Sequence, residues 1–126
     1  MTTISEDYIS FEAAKLLKEK GFPQSTFRCH YIIDGNSHYK SFENRCGFGD
    51  YDIIAPTLAM AMKWLREEYD LYIEVSLSCD REDKNAKIFD ASIFNLQNQR
   101  YKKIGNIQGY EQACEVAIRY CLENLI

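Results

Sequence analysis

The chain has 126 residues, of which 46% are apolar and 27% charged, and 19 acidic against 15 basic residues give a formal net charge of −4. This balance is that of an ordinary globular domain and excludes an intrinsically disordered chain. The length predicts one domain over residues 1–126. Because the chain is acidic and its basic residues do not gather on one segment, we do not expect it to bind nucleic acid through phosphate contacts.

The sequence also bears on compartment and cofactors. The longest uncharged segment, IIAPTLAMAM, is far shorter than the about 20 apolar residues of a membrane-spanning helix, so we expect no membrane contact. The start, MTTISEDYIS, lacks the features of a signal peptide. The five cysteines are odd in number and form no CxxC pair, which does not suit a disulfide framework or a zinc site. We therefore predict a cytoplasmic protein with reduced, packed cysteines, and no cofactor.

The first predicted element is a helix, FEAAKLLKEK. Ser10 is a good N-cap residue for it. Gly21 stands where a left-handed residue ends a helix, and Phe22 stands where it contacts Leu17. Pro23 prevents the helix from continuing.

A β-hairpin is predicted next, with strands Phe27–Ile33 and His38–Glu43 around the turn DGNS. Pairing Ile33 with His38 divides the side chains between two faces, because successive residues of a strand point to opposite sides. The predicted core face carries Phe27, Cys29, Tyr31, Ile33 and Phe42, with Lys40 and His38 near the turn. The predicted outer face carries Arg28, His30, Ile32, Tyr39, Ser41 and Glu43.

A second helix begins at Pro56 or Thr57, either as a helix-starting proline or as an N-cap. The strand LYIEVSLSC follows and alternates cleanly, which is typical of a sheet with one covered and one wet face. Its predicted inward residues are Leu71, Ile73, Val75, Leu77 and Cys79, and its outward residues are Tyr72, Glu74, Ser76 and Ser78.

The remaining elements are a strand over about Lys87–Leu96, a weaker strand near Tyr101–Ile104 and a last helix over about Tyr110–Leu125. The order αββαββ(β)α predicts a two-layer α+β fold. We expect one antiparallel or mixed sheet of four or five strands, with the three helices mainly on one face.

The segments ISFEAAKLLKEKGF, IAPTLAMAMKWLRE and YEQACEVAIRYCLENLI resemble a family of small uncharacterised proteins encoded in gut-bacterial genomes, often in phage or mobile-element neighbourhoods. The resemblance covers nearly the whole chain and is most specific around Pro56–Arg66. It implies a stand-alone domain and carries no catalytic residues over. Members of the family tend to have Ser or Thr where this chain has Gly109, so the last helix is expected to be less well capped here.

Two groups of residues are candidates for function. Cys46, in the string CGFGD, and His38 are the candidates for a small cysteine-dependent enzyme, although no general base is placed by the sequence. An exposed sheet face with aromatic and arginine side chains is typical of protein contacts. We predict that this interaction face comprises Arg28, His30, Ile32, Tyr39, Tyr72 and Glu74.

The leading hypothesis is a non-enzymatic interaction module, of phage or mobile-element origin, that binds another protein or itself as a homodimer. The alternatives are the cysteine-dependent enzyme and an acidic mimic of nucleic acid. No metal site is expected, because His30 and His38 fall on opposite faces of the hairpin and have no carboxylate motif beside them.

Overall fold

The computed structural model describes residues 6–24, 29–42, 53–79 and 82–126. These residues form three α-helices, a π-helical segment and six β-strands. The helices are α1 (Phe11–Glu19), α2 (Leu58–Tyr69) and α3 (Tyr110–Tyr120), and the π-helical segment Cys121–Leu125 continues α3. The strands are β1 (His30–Asp34), β2 (Ser37–Ser41), β3 (Ile53–Ile54), β4 (Leu71–Leu77), β5 (Ile88–Asn95) and β6 (Arg100–Gln108).

Both ends of α1 are as predicted. The Ser10 hydroxyl accepts a hydrogen bond from the backbone N–H of Ala13 at 3.3 Å. At the other end Gly21 has a φ of 94°, and the Phe22 N–H donates to the carbonyl of Leu17 at 2.9 Å. A residue other than glycine is strained at this φ, so Gly21 is the residue that lets the chain leave the helix.

The caps of α2 and α3 differ. Thr57 caps α2 through its hydroxyl, which accepts from the N–H of Met60 at 3.1 Å, and this resolves the predicted choice between Pro56 and Thr57. α3 begins after Gly109 without a side-chain cap, as expected. Gly109 has a φ of 91°, so serine would offer a capping hydroxyl there only at the cost of backbone strain.

The strands form two sheets, whereas the prediction was one sheet of four or five strands. The first sheet has the order β2-β1-β3 and the second β4-β5-β6, and all their pairings are antiparallel. The first hairpin has the predicted register, with Ile33 opposite His38. β3 was not predicted. It pairs with β1 through His30↔Ile54 and Tyr31↔Ile53. In the predicted single sheet, the strands that follow α2 would have paired with this edge of β1, which β3 occupies instead.

Buried apolar side chains of the helices and both sheets form one core. α3 packs across all three strands of the second sheet, and α1 packs against β3, α3 and the π-helical segment. The N–H of Ser10 donates to Glu115 Oε1 at 3.2 Å, which ties the start of α1 to α3. None of the described helices is long and apolar enough to cross a membrane.

Three predicted core positions, Leu77, Cys79 and Phe42, are wrong. The alternation of β4 holds from Leu71 to Val75 but fails at the strand's end, where Leu77 is 50% exposed, Cys79 is exposed and Ser78 is buried. The Ser78 N–H donates to the carbonyl of Ile88 at 2.9 Å as the strand gives way to a turn, so the two-residue period no longer applies there. Phe42 follows the end of β2 and is also half-exposed, in edge contact with the Tyr8 ring.

Candidate protein-interaction face

One face of the second sheet is left uncovered by the described residues, and we call it the open face. It is defined by two rows of directly opposed residues, Tyr72, Phe94 and Tyr101 in one row and Glu74, Ser92 and Lys103 in the other. The opposite face of the same strands carries Leu71, Ala91 and Ile93, which are almost completely buried. Since α3 packs on that covered face, the open face is the wet face that the alternation in β4 predicts.

The first row of the open face is aromatic. Tyr72, Phe94 and Tyr101 are 40%, 37% and 56% exposed. The Phe94 and Tyr101 ring centroids are 5.0 Å apart with the rings tilted. Aromatic side chains contribute large contact areas to protein interfaces, and a contiguous row of them differs from scattered surface hydrophobes.

The second row is charged and its cation is held in place. Lys103 Nζ lies 3.4 Å from Asp90 Oδ2, and Asp90 is itself only 8% exposed. The backbone of β6 also contacts the Asp90 carboxylate. The N–H of Asn106 donates to Oδ1 at 3.4 Å, and a Cβ on Gly105 would lie 3.2 Å from the same oxygen. The open face therefore presents a carboxylate at β4 and a fixed ammonium at β6.

The predicted interaction residues do not lie on one face. Tyr72 and Glu74 are exposed on the open face, whereas Ile32 and Tyr39 are opposed to each other in the first sheet. Tyr39 is 52% exposed and Ile32 is half-buried. Arg28 lies outside the described residues.

His30 is completely buried, which corrects its predicted place on an exposed face. It pairs with Ile54, and that residue is buried as well. The alternation in the hairpin separates two faces correctly, but the start of β1 is the middle of a three-stranded sheet and is covered on both sides.

Phe94 and Tyr101 are the open-face residues that the sequence interpretation missed. Phe94 could have been found, because successive residues of β5 alternate between the two sides of the sheet, which places Phe94 on the side opposite to Ile93. Tyr101 could not, since its place opposite Phe94 depends on the register across the turn between β5 and β6.

The candidate catalytic pair is not assembled in the described residues. Cys46 lies outside them. The His38 ring stacks on Phe11 at a centroid distance of 3.8 Å and meets the Tyr31 ring edge-on at 5.7 Å. His38 is thus part of an aromatic cluster on the side of the hairpin that faces α1. Within the described residues no three His, Cys, Asp or Glu side chains are grouped as metal ligands.

Three of the described cysteines are buried as predicted, namely Cys29, Cys114 and Cys121. Burial raises the pKa of each thiol, and it raises the pKa of Cys121 to about 12. Because the thiolate is the nucleophilic form, these side chains are poor nucleophiles at neutral pH. Cys79, by contrast, is exposed, so its prediction as a core cysteine is wrong.

No protein-family model, curated protein or solved structure matches the chain.

Proposed function

We propose that the chain is a non-enzymatic protein-interaction module that self-associates through the open face of its second sheet. The observation that carries the proposal is the exposed aromatic row Tyr72–Phe94–Tyr101 on a sheet whose other face is buried under α3. Burying such a row against another protein removes apolar surface from water, which favours association.

The charges on the open face favour a second copy of the chain as the occupant. Consider a twofold axis that runs along the strands and passes between the two Ser92 side chains. It brings Tyr72 over Tyr101 of the second copy and Glu74 over Lys103 of the second copy, because these residues stand at equal distances on either side of the middle strand. Such an isologous contact is complementary to itself, as a homodimer requires. Aligned sheets pack face to face at about 30°, which keeps the central rows in contact.

The size of the face sets the expected strength of the complex. Three strands about 4.8 Å apart make a surface roughly 10 Å wide, which is narrower than the interfaces of stable dimers. We therefore expect a weak, reversible dimer that forms at high micromolar protein concentration.

Addition of a strand at the β6 edge of the sheet is another route to self-association, and the sequence of β6 opposes it. Lys102 and Lys103 lie on this edge strand, and the ladder to β5 shifts register between Phe89 and Ala91. Asn106 has a φ of 59° within the strand. Lysines and bulges are features that keep edge strands from pairing with another chain.

Sedimentation velocity over a range of protein concentrations tests the proposal. We expect the wild-type chain to dimerise and the double variant Tyr72→Ser/Tyr101→Ser to remain monomeric at the same concentrations. Tyr39→Ser is the matched control, because Tyr39 is as exposed as these two residues but lies on the first sheet. A wild-type monomer at the highest concentration, or equal loss of dimer in the control, would overturn the proposal.

A further inference from the structure

A second site lies on the other side of the second sheet, where the sheet extends past the end of α3. A cavity of about 200 Å³ opens between the β5–β6 turn and the π-helical segment. Ile93 and Leu125 form the apolar part of its wall, and Tyr120 contributes an aromatic ring. We propose that this cavity binds a small aromatic carboxylate.

Two cations converge on the cavity. Arg100 stands opposite Asn95 and Lys102 opposite Ile93 in the sheet, so both lie on the same side of β6 as the buried Ile93. Lys102 Nζ lies 5.7 Å from the centroid of the Tyr120 ring, which holds the ammonium against the wall by a cation–π contact.

These cations are not neutralised within the described residues. Lys103 and Arg119 form salt bridges there, whereas Arg100 and Lys102 do not. None of the described residues that line the cavity is acidic. In a chain of net charge −4, the cavity is therefore a local site of positive charge.

The amides that line the cavity also favour an acceptor. Asn98 Oδ1 accepts from the N–H of Arg100 at 3.0 Å, and Asn95 Oδ1 accepts from the N–H of Gln97 at 3.0 Å. Because a backbone N–H can bond only to the oxygen of an amide side chain, these two hydrogen bonds fix which way each side-chain amide is turned. The NH₂ group of each side chain can then donate to an acceptor in the cavity.

The volume of the cavity and the geometry of its hydrogen-bond donors define the class of ligand. A cavity of about 150 Å³ holds benzene, so this one has room for a six-membered ring with a single carboxylate. The planar guanidinium of Arg100 matches the two oxygens of a carboxylate, and the Tyr120 ring and Leu125 suit an apolar ring. Leu125 reaches the cavity from a π-helical segment, a geometry that occurs frequently at functional sites.

Titration of the ¹⁵N-labelled chain with sodium benzoate, monitored through its backbone amide chemical shifts by NMR, tests this inference. We expect saturable shifts at Arg100, Lys102, Tyr120 and Leu125, with benzyl alcohol and sodium acetate binding at least tenfold more weakly. The variant Arg100→Gln/Lys102→Gln should weaken benzoate binding at least tenfold. Lys63→Gln/Lys84→Gln removes the same charge from exposed positions elsewhere and should leave it unchanged.

The spectrum of each variant reports whether it is folded, and a misfolded double variant is replaced by Lys102→Gln, read in the same way. Unsaturable or dispersed shifts with benzoate would overturn the inference. Equal binding by the cavity variant and its control would overturn it too, as would acetate binding as tight as benzoate. Tyr120 and Leu125 line the cavity but do not belong to the open face, so shifts at these two residues distinguish benzoate binding from a change in dimerisation.

Discussion

The two sheets have three strands each and differ in what covers them. The second sheet buries one face under α3 and leaves the other in water, and its strands have seven, eight and nine residues. The first sheet has strands of five, five and two residues. Its central strand begins with the buried residues His30 and Tyr31, and the preceding Cys29 is buried as well. A sheet with one wet face can present a contact surface, whereas a sheet covered on both sides at its centre serves mainly the core.

The largest expected effect comes from comparing adjacent residues of β5. Ile93→Ala removes a buried side chain under α3 and should lower the free energy of unfolding by about 2 to 5 kcal/mol. Phe94→Ala removes a larger side chain from the open face and should cost about 1 kcal/mol, mainly through its contact with Tyr101. Urea denaturation of both variants measures the difference. Equal losses of unfolding free energy in the two variants would mean that Phe94 is buried like Ile93 and does not lie on an exposed face.

A smaller effect is expected from the tyrosines of the first sheet. The Tyr31 hydroxyl donates to the carbonyl of Ile9 at 2.7 Å in a buried contact between β1 and the residue before the cap of α1. Tyr31→Phe leaves that carbonyl without this donor and should cost about 1 to 2 kcal/mol. Tyr39→Phe, on the exposed side of the hairpin, is the control and should leave the urea midpoint unchanged. A loss in both variants, or in neither, would contradict the assignment.

The contrast between the sheets also marks what the sequence could predict. Helix ends were predictable at Ser10 and Gly21, and the start of α2 was predictable to Pro56 or Thr57, because a cap depends on residues close together in the chain. The alternation in β4 was sufficient to place Tyr72 and Glu74 on a wet face. Both kinds of signal are local, and both are confirmed.

The rest depended on long-range pairing. β3 has two residues and no periodicity of its own, so nothing local indicated that Ile53 and Ile54 would pair with β1. That pairing divides the strands into two sheets, and it accompanies the burial of His30. Period-two alternation shows that His30 and Tyr31 face opposite sides, but it does not show that both sides are covered.

A further predicted effect is a loss of stability that appears only in alkaline solution. The pKa of the Cys121 thiol is raised by burial from 9.0 to about 12, and that of the Tyr31 phenol from 10.0 to about 12. Well below pH 9.0 both groups are neutral in the folded and unfolded states, so their contribution is fully present. As the pH rises toward 12 the unfolded chain ionises first, and the free energy of unfolding should fall.

Urea denaturation at a series of pH values checks this, with Cys121→Ala as the comparison. Its stability at neutral pH is expected to be lower because of the lost packing, but its decline above pH 9.0 should be shallower than that of the wild type. Parallel declines in the two proteins would show that Cys121 does not contribute.

The central claim, that two open faces meet about a twofold axis, is tested most directly by mixing two charge variants. Glu74→Lys and Lys103→Glu should each be monomeric in sedimentation velocity, because each places like charges opposite one another in the homodimer. In an equimolar mixture every Lys of one variant faces a Glu of the other at both symmetric contacts, so a heterodimer should form at the concentrations at which the wild type dimerises. Folded variants that stay monomeric when mixed, while the wild type dimerises, would contradict the proposed face-to-face arrangement.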